Sequence, residues 1–152
     1  MTRLACSRVF PVDAQTAYRV VMPVPLPTIL GTRHWAIPGV REVEQDRPWG
    51  QEVGQERVLR FSDGGSATEV LTTLEAPDRF GYRLTDISGP MKSLATSLDG
   101  LWTFVPDGRD STRITWTWDL DPTRPGRVVM PVFTVMWRGM AKRTFDRLGE
   151  LF

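Results

Sequence analysis

Six strand-like runs of alternating apolar and polar residues occupy residues 39 to 121, with short turns between them. The runs are GVREVEQ, EVGQERVLRF, ATEVLTTLE, RFGYRLTDI, SLATSLDGLWTFV and TRITWTWDL. Turn signals such as Asp63-Gly64-Gly65 and Asp107-Gly108 separate them. A parallel crossover needs a dozen or more residues, and these connections are too short for one. The spacing therefore predicts an antiparallel meander.

A further strand and two short helices are predicted before the meander. The stretch LACSRVFPV, residues 4 to 12, has strand-like alternation. Asp13 then has the position of a helix N-cap for AQTAYRVVM. Three prolines in PVPLPTILG end that helix, so any helix within Thr28 to Gly31 must be short.

The C-terminal segment changes period and predicts one long helix. From Pro131 to Phe152, apolar residues recur every three or four positions, which predicts roughly five or six turns of amphipathic helix. Pro131 suits its first turn, whereas Gly139 is a weak point inside it. This helix can cover one face of the sheet, since a single twisted sheet needs only one face buried.

Together these elements predict the fold class and the domain organisation. We expect an α+β protein in which a seven-stranded antiparallel sheet wraps around a long C-terminal helix, with two short helices after the first strand. The 152 residues are 41% hydrophobic and contain no linker or repeat, which predicts a single domain over residues 1–152.

Charge and composition exclude several classes of function. The net charge is +1 and the basic residues look scattered, which argues against a nucleic-acid binder. One cysteine, Cys6, and one histidine, His34, exclude a disulfide and a zinc site built from these ligands. No phosphate-binding or dinucleotide glycine pattern occurs, so no cofactor is expected. Without a signal-peptide core or a transmembrane segment, a cytoplasmic location is expected.

Several stretches carry a resemblance to a known superfamily. They are VDAQTAYRVV, HWAIPGVREVE, VGQERVLRFSDGG running into ATEVLTTLEAPDRFGYRL, WTFVPDGRDSTRITWTW, and the terminal helix. Over nearly its whole length the chain resembles the START-like, or Bet v 1-like, superfamily, in particular bacterial polyketide cyclase/dehydrase and lipid-transport-type (SRPBCC) proteins. The resemblance implies a helix-grip fold with a deep cavity between the sheet and the long helix, wide enough for a hydrophobic ligand.

An aromatic stripe would line that cavity. In ITWTWDL, alternate residues Ile114, Trp116, Trp118 and Leu120 share one face of a strand. Gly100 is expected roughly opposite Trp116, which would give its indole room. Plain core packing explains the stripe equally well. The apolar candidates for ligand contact are Trp35, Trp102, Trp116, Trp118, Phe133, Met136, Trp137 and Met140.

Four polar candidates accompany this wall. Arg57 and Glu69 flank one turn and could form a buried pair or an anchor for a ligand. An exposed pair is favoured, because sequence does not determine the strand register. Tyr82 has the parity of an inward residue and Tyr18 lies on the apolar face of the first helix; either hydroxyl could bind a ligand or only fill space.

One further residue, His34, and one further segment, MPVPLPTILG, give weaker indications of function. His34 could act as a general base, but no partner is evident, so a loop or rim position is favoured. The segment MPVPLPTILG either gates the cavity entrance or simply packs onto the end of the sheet.

Three functions remain open from the sequence. The first is binding or transport of a hydrophobic small molecule, either a lipid or an aromatic polyketide-like compound. The second is a cyclase or dehydratase-type enzyme acting in the same cavity, where holding a reactive chain in one conformation supplies much of the catalysis. The third is an interaction module with a filled core. In each case a monomer or homodimer is expected.

Overall fold

The computed structural model describes residues Met1–Phe152 and has the expected architecture. The helices are Ala14–Val21 (α1), Leu26–Leu30 (α2) and Arg124–Gly149 (α3), with one short 3₁₀ helix over Pro90–Ser93. The strands are Thr2–Phe10 (β1), Val40–Glu44 (β2), Glu56–Phe61 (β3), Ser66–Glu75 (β4), Arg79–Ser88 (β5), Ala95–Pro106 (β6) and Thr112–Pro122 (β7).

All seven strands form one antiparallel sheet in the order β1-β7-β6-β5-β4-β3-β2. Strands β2 to β7 follow one another as a meander, and the last of them, β7, pairs with β1. Helix α3 packs against β1, β7 and α2. The predicted α+β helix-grip fold is confirmed.

The first two helices begin and end near the expected positions. Asp13 caps α1 as predicted, since its carboxylate accepts hydrogen bonds from the Thr16 backbone N–H and hydroxyl at 3.2 and 2.6 Å. Helix α2 spans Leu26–Leu30, two residues earlier than the predicted start, with Pro27 in its first turn, where the missing N–H costs nothing.

Helix α3 begins at Arg124, and the prediction that Pro131 lies in its first turn is wrong. Thr123 is the N-cap, accepting a hydrogen bond from the Gly126 N–H at 3.0 Å, and Pro125 occupies the first turn instead. Pro131 lies inside the helix at an exposed position, and because proline has no N–H, the carbonyl of Arg127 lacks its usual helical donor there. The helix ends at Gly149, three residues before the predicted end.

The concave face of the sheet and the inner face of α3 enclose one hydrophobic core of 34 buried residues. The stripe Ile114, Trp116, Trp118 and Leu120 points into this core, as expected from strand alternation. Gly100, however, pairs with Trp118 and not with Trp116. The β6–β7 turn centres at Arg109, one residue later than expected, and such a shift moves every cross-strand partner by two residues.

Candidate functional site

A cavity lies between the concave face of the sheet, α2 and the following loop, with Met140 of α3 at one side. The space open to the centres of water-sized molecules is about 80 Å³, and 18 of the 21 lining residues are hydrophobic. The lining comes from α1 and the segment after it (Val21, Met22, Val24), from α2 (Leu26, Ile29, Leu30), from the loop (Ile37, Pro38), from the sheet (Val40, Arg57, Leu59, Phe61, Glu69, Phe80, Tyr82, Leu84, Trp102, Trp116, Trp118), and from Met91 and Met140.

Arg57 and Glu69 form a buried ion pair at the cavity wall. They are direct cross-strand partners on β3 and β4, and Arg57 Nε donates to Glu69 Oε1 at 2.6 Å. Their side chains are only 5% and 4% exposed, so the expectation of an exposed pair is wrong. The guanidinium is covered by the ring of Trp49, whose centroid lies 4.0 Å from Arg57 Cζ, a cation–π contact that closes the pair off from water.

Both partners keep unused hydrogen-bonding capacity. The Nη atoms of Arg57 and the Oε2 atom of Glu69 make no hydrogen bond within the protein, and both residues line the cavity. Burial raises the pKa of Glu69, and the neighbouring guanidinium of Arg57 offsets this only in part. A ligand group that donates to Glu69 or accepts from Arg57 would complete this pair.

The Tyr82 hydroxyl can act towards a ligand only as a hydrogen-bond donor. Its oxygen accepts hydrogen bonds from Nε1 of Trp116 and Nε1 of Trp118, both at 3.0 Å. The hydroxyl hydrogen makes no bond to the protein, so an acceptor oxygen on a ligand is its natural partner. Burial and, secondarily, the charge of Glu69 raise the pKa of Tyr82, which keeps the phenol protonated.

The aromatic stripe serves both as cavity wall and as packed core. Trp102 and Trp116 stack at 4.9 Å between ring centroids with 12° between their planes, and both line the cavity together with Trp118. Phe133 and Trp137 of α3 pack against these indoles, at 6.4 Å from Trp118 and 5.2 Å from Trp116, without lining the cavity.

The remaining predicted site residues lie away from the cavity lining. Met136 is half-buried on α3, and Tyr18 packs on Phe80 and Phe104 with its buried hydroxyl lacking a hydrogen-bond partner. Trp35 is 78% exposed in the loop after α2. Their role in ligand contact stays a prediction.

His34 packs against α3 and has no carboxylate beside it. Its Nε2 lies 2.5 Å from where a Cβ on Gly139 would be, so the glycine expected to be a weak point of the helix makes room for the imidazole. Burial, with a smaller contribution from the charge of Arg143, lowers the pKa of His34. This matches the favoured rim position and offers no general base to the cavity.

Sequence reasoning missed part of the aliphatic wall. The segment MPVPLPTILG contributes Met22, Val24, Leu26, Ile29 and Leu30 to the cavity wall, and whether it gates an entrance or only packs onto the end of the sheet stays a prediction. Met91, in the 3₁₀ helix, was not identified, and an apolar residue directly after Gly89-Pro90 was the available signal.

No group of three or more His, Cys, Asp and Glu side chains is placed to hold a metal ion. None of the three α-helices combines the length and the hydropathy that a membrane-spanning helix requires.

Comparison with known proteins agrees with this architecture. The fold resembles XoxI from Bacillus cereus (TM-score 0.71, 13% identity, covering 100% of this chain and 96% of that protein). It also resembles major latex-like protein 151 from Panax ginseng (TM-score 0.61, 14% identity, covering 93% and 97%). DynU16, a protein of the dynemicin biosynthetic locus, matches with a TM-score of 0.63 and 16% identity over 97% of this chain and 46% of its own.

Sequence comparison identifies the family. No curated protein is similar enough in sequence to count as a relative. The family described as "Polyketide cyclase / dehydrase and lipid transport" matches residues 1–152. The chain therefore belongs to the polyketide cyclase/dehydrase and lipid transport family.

Proposed function

We propose that this protein binds a hydrophobic small molecule that carries one polar oxygen group, in the cavity between the sheet and the helices. The observation that carries the proposal is the contrast within the cavity wall. Almost all of the wall is apolar, yet it contains one buried ion pair with unused hydrogen-bonding atoms and one hydroxyl committed to donate. Ligand sites typically combine an apolar lining with a few placed polar groups.

The apolar part of the ligand would supply most of the binding free energy. Burial of apolar surface contributes about 25 cal/mol per Å², before the entropic costs of association. The free volume of about 80 Å³ is well below that of typical ligand pockets, so a lipid-sized ligand requires side chains to move. Three methionines, Met22, Met91 and Met140, line the cavity, and their unbranched side chains adapt readily to such a change.

The polar group of the ligand would be oriented by Arg57, Glu69 and Tyr82. The Nη atoms of Arg57 and the hydroxyl of Tyr82 are donors, which suits a carboxylate or carbonyl oxygen. Glu69 Oε2 would accept from a ligand hydroxyl. A fatty acid or an aromatic polyketide-like compound has groups of this kind, whereas a pure hydrocarbon would leave the remaining hydrogen-bonding atoms of all three residues without a partner.

A second candidate function is a cyclase or dehydratase-type reaction in the same cavity. Its support is that Glu69 lines the cavity and that burial raises its pKa, because a carboxylate of raised pKa is a stronger base toward a substrate proton. Glu69 would remove a proton next to a substrate carbonyl. Tyr82, already accepting two indole N–H bonds, would donate to the oxygen on which negative charge develops.

Ligand binding is tested by tryptophan fluorescence during titration with fatty acids, sterols and aromatic polyketides. Trp102, Trp116 and Trp118 line the cavity, so a ligand there changes their emission. We expect saturable quenching or a blue shift with one chemical class, and a weaker response in the double variant Arg57→Met/Glu69→Leu. A flat response across the panel, with an unchanged melting temperature, would instead support the interaction module with a filled core.

Turnover separates the carrier from the enzyme. The compounds that bind are incubated with wild type and Glu69→Gln, and the products are identified by mass spectrometry. Formation of a cyclised or dehydrated product by wild type alone, with binding retained in the variant, supports the enzyme. Recovery of unchanged ligand from both proteins supports the carrier.

Three broader properties complete the proposal. One continuous core of 34 residues is consistent with a single domain over residues 1–152. A cytoplasmic location is consistent with the single, half-buried thiol of Cys6. A monomer or homodimer is proposed, and sedimentation velocity at several protein concentrations distinguishes the two.

A further inference from the structure

The outward face of α3 carries a row of valines that the core does not use. Val128, Val132 and Val135 are 80%, 63% and 69% exposed. Their spacing of four and three residues places them in one row along the helix, with the half-exposed Val129 beside it. A helix that packs one face on a sheet ordinarily presents polar residues on the other, so this row calls for an explanation.

Trp35 follows His34, whose imidazole packs at the end of the same row. The next position of the row is Gly139, and the His34 imidazole lies against it in place of a side chain. The adjacent Trp35 is the only exposed tryptophan of the six. It is held in a tight turn by reciprocal backbone hydrogen bonds of 2.9 Å between His34 and Ile37, and by Arg33 Nε donating to its carbonyl. Its φ of +55° is uncommon for a bulky residue, and its side chain is 78% exposed.

Positive charge is concentrated on this helix. Helix α3 contains six basic residues and one acidic residue, in a chain whose net charge is only +1. The single acid, Asp146, is paired with Arg8 at 2.7 Å. The sequence suggested that the basic residues are scattered, whereas the structure places six of them on this one helix. They flank the valine row at both ends: Arg124, Arg127, Arg138, Lys142, Arg143 and Arg147.

These features together identify one kind of partner. Exposed aliphatic residues flanked by basic ones suit the boundary of a bilayer, where apolar side chains enter the acyl region and cations meet anionic headgroups. A tryptophan is favoured at that boundary as well. Pairing of two copies through this face would bring the same basic residues together, which is unfavourable. We propose that the valine row of α3, Trp35 and the flanking basic residues form a docking surface for an anionic lipid bilayer.

The docking surface adjoins the cavity at two places. Ile37 and Pro38, in the turn that presents Trp35, line the cavity. At the other end of the row, Thr123 caps α3 and donates from its hydroxyl to the carbonyl of Ser93, the last residue of the 3₁₀ helix that contributes Met91. Docking would therefore bring two segments of the cavity wall close to the lipid. The proposal itself stands independently of what the cavity binds.

Vesicle co-sedimentation tests the proposal. Wild type is mixed with vesicles of phosphatidylcholine alone or with added phosphatidylglycerol, at low and high salt. We expect binding to the anionic vesicles that weakens with salt, and a blue shift of the exposed Trp35 emission that Trp35→Phe abolishes. Arg138→Gln/Lys142→Gln should lower the partition coefficient about 30-fold, from about 1 kcal/mol for each cation near the surface. Trp35→Ser/Val132→Asn should weaken binding at all salt concentrations.

The controls change exposed residues elsewhere. Val105→Asn and Arg109→Glu lie at the β6–β7 turn and should bind like wild type. Wild type that ignores anionic vesicles at low salt, or binds neutral ones equally, overturns the proposal. So does equal binding by face variants and controls, or a concentration-dependent dimer that the face variants abolish. The binding of wild type to anionic and neutral vesicles at two salt concentrations is measured without any variant. It can therefore still overturn the proposal if one of the variants fails to fold.

Discussion

The ring of Tyr82 occupies the space that a side chain on Gly100 would need. The two residues are cross-strand partners on β5 and β6, and a Cβ built on Gly100 would overlap the Cζ and Oη atoms of Tyr82. The glycine lets the ring lie flat across β6 and reach the indoles of Trp116 and Trp118 on β7. The position of the one donor hydroxyl in the cavity thus depends on the absence of a side chain on the neighbouring strand.

Gly100→Ala should therefore destabilise the protein, although alanine is otherwise better tolerated than glycine in a strand. Overpacking of this kind costs about 1–3 kcal/mol. Urea denaturation measures the loss. In a Tyr82→Leu background the same substitution should cost much less, because the clashing ring is gone. Equal costs in both backgrounds would show that Tyr82 is not the cause.

Tyr82→Phe and Tyr18→Phe form a matched pair, since these are the only tyrosines in the chain. Removing the Tyr82 hydroxyl leaves two buried indole N–H groups without an acceptor, and we expect a loss of about 2–4 kcal/mol. The Tyr18 hydroxyl is buried without a partner, so Tyr18→Phe should be neutral or slightly stabilising. The comparison uses the free energy of unfolding; a larger loss at Tyr18 than at Tyr82 would contradict the hydrogen-bond assignment.

The buried pair predicts a strongly non-additive double-mutant cycle. Arg57→Met or Glu69→Leu alone leaves one buried group without its charged partner, at a cost of about 3–5 kcal/mol. The double variant removes both charges and should recover most of that loss. Each protein is compared by denaturant unfolding and, in parallel, by ligand titration. Recovery of stability without recovery of binding would assign the pair a role in the ligand site; additive losses would contradict the buried pair.

Most of the fold was predictable because it depends on local periodicity. Strand alternation placed Ile114, Trp116, Trp118 and Leu120 inward correctly, and short turns enforced antiparallel pairing. The failures concern quantities that no local pattern determines. The partner of Gly100 depended on the centre of one turn, and the start of α3 depended on whether Pro131 could be tolerated at an exposed position inside the helix.

The site was predictable only in part for a related reason. The sequence favoured an exposed Arg57–Glu69 pair, whereas the burial of Arg57 depends on Trp49, which the loop between β2 and β3 places over the guanidinium. From sequence alone a charged pair is predicted to be exposed, because the residues that bury it come from elsewhere in the fold. The opposite holds for Trp35: an aromatic residue is expected to be buried, yet its side chain is 78% exposed, next to a His34 that packs against Gly139.

The pH dependence of stability tests the environment of Glu69. Its pKa is raised in the fold, whereas a glutamate in an unfolded chain titrates near about 4.3. Between these two values the native state holds a proton that the unfolded chain has released. The free energy of unfolding should therefore fall as the pH rises through this window, and the contribution is fully present only below the unfolded pKa.

His34 opposes this trend and must be separated from it. Its lowered pKa means that the unfolded chain binds the proton more tightly, so its contribution to stability rises with pH up to about 6.5. The double variant Arg57→Met/Glu69→Leu retains His34 and lacks the pair. Urea unfolding of both proteins from about pH 4, below the unfolded pKa of glutamate, to about pH 8 isolates Glu69 as the difference between the curves. We expect wild type to lose stability relative to the double variant as the pH rises; a constant difference would mean that Arg57 cancels the effect of burial on Glu69.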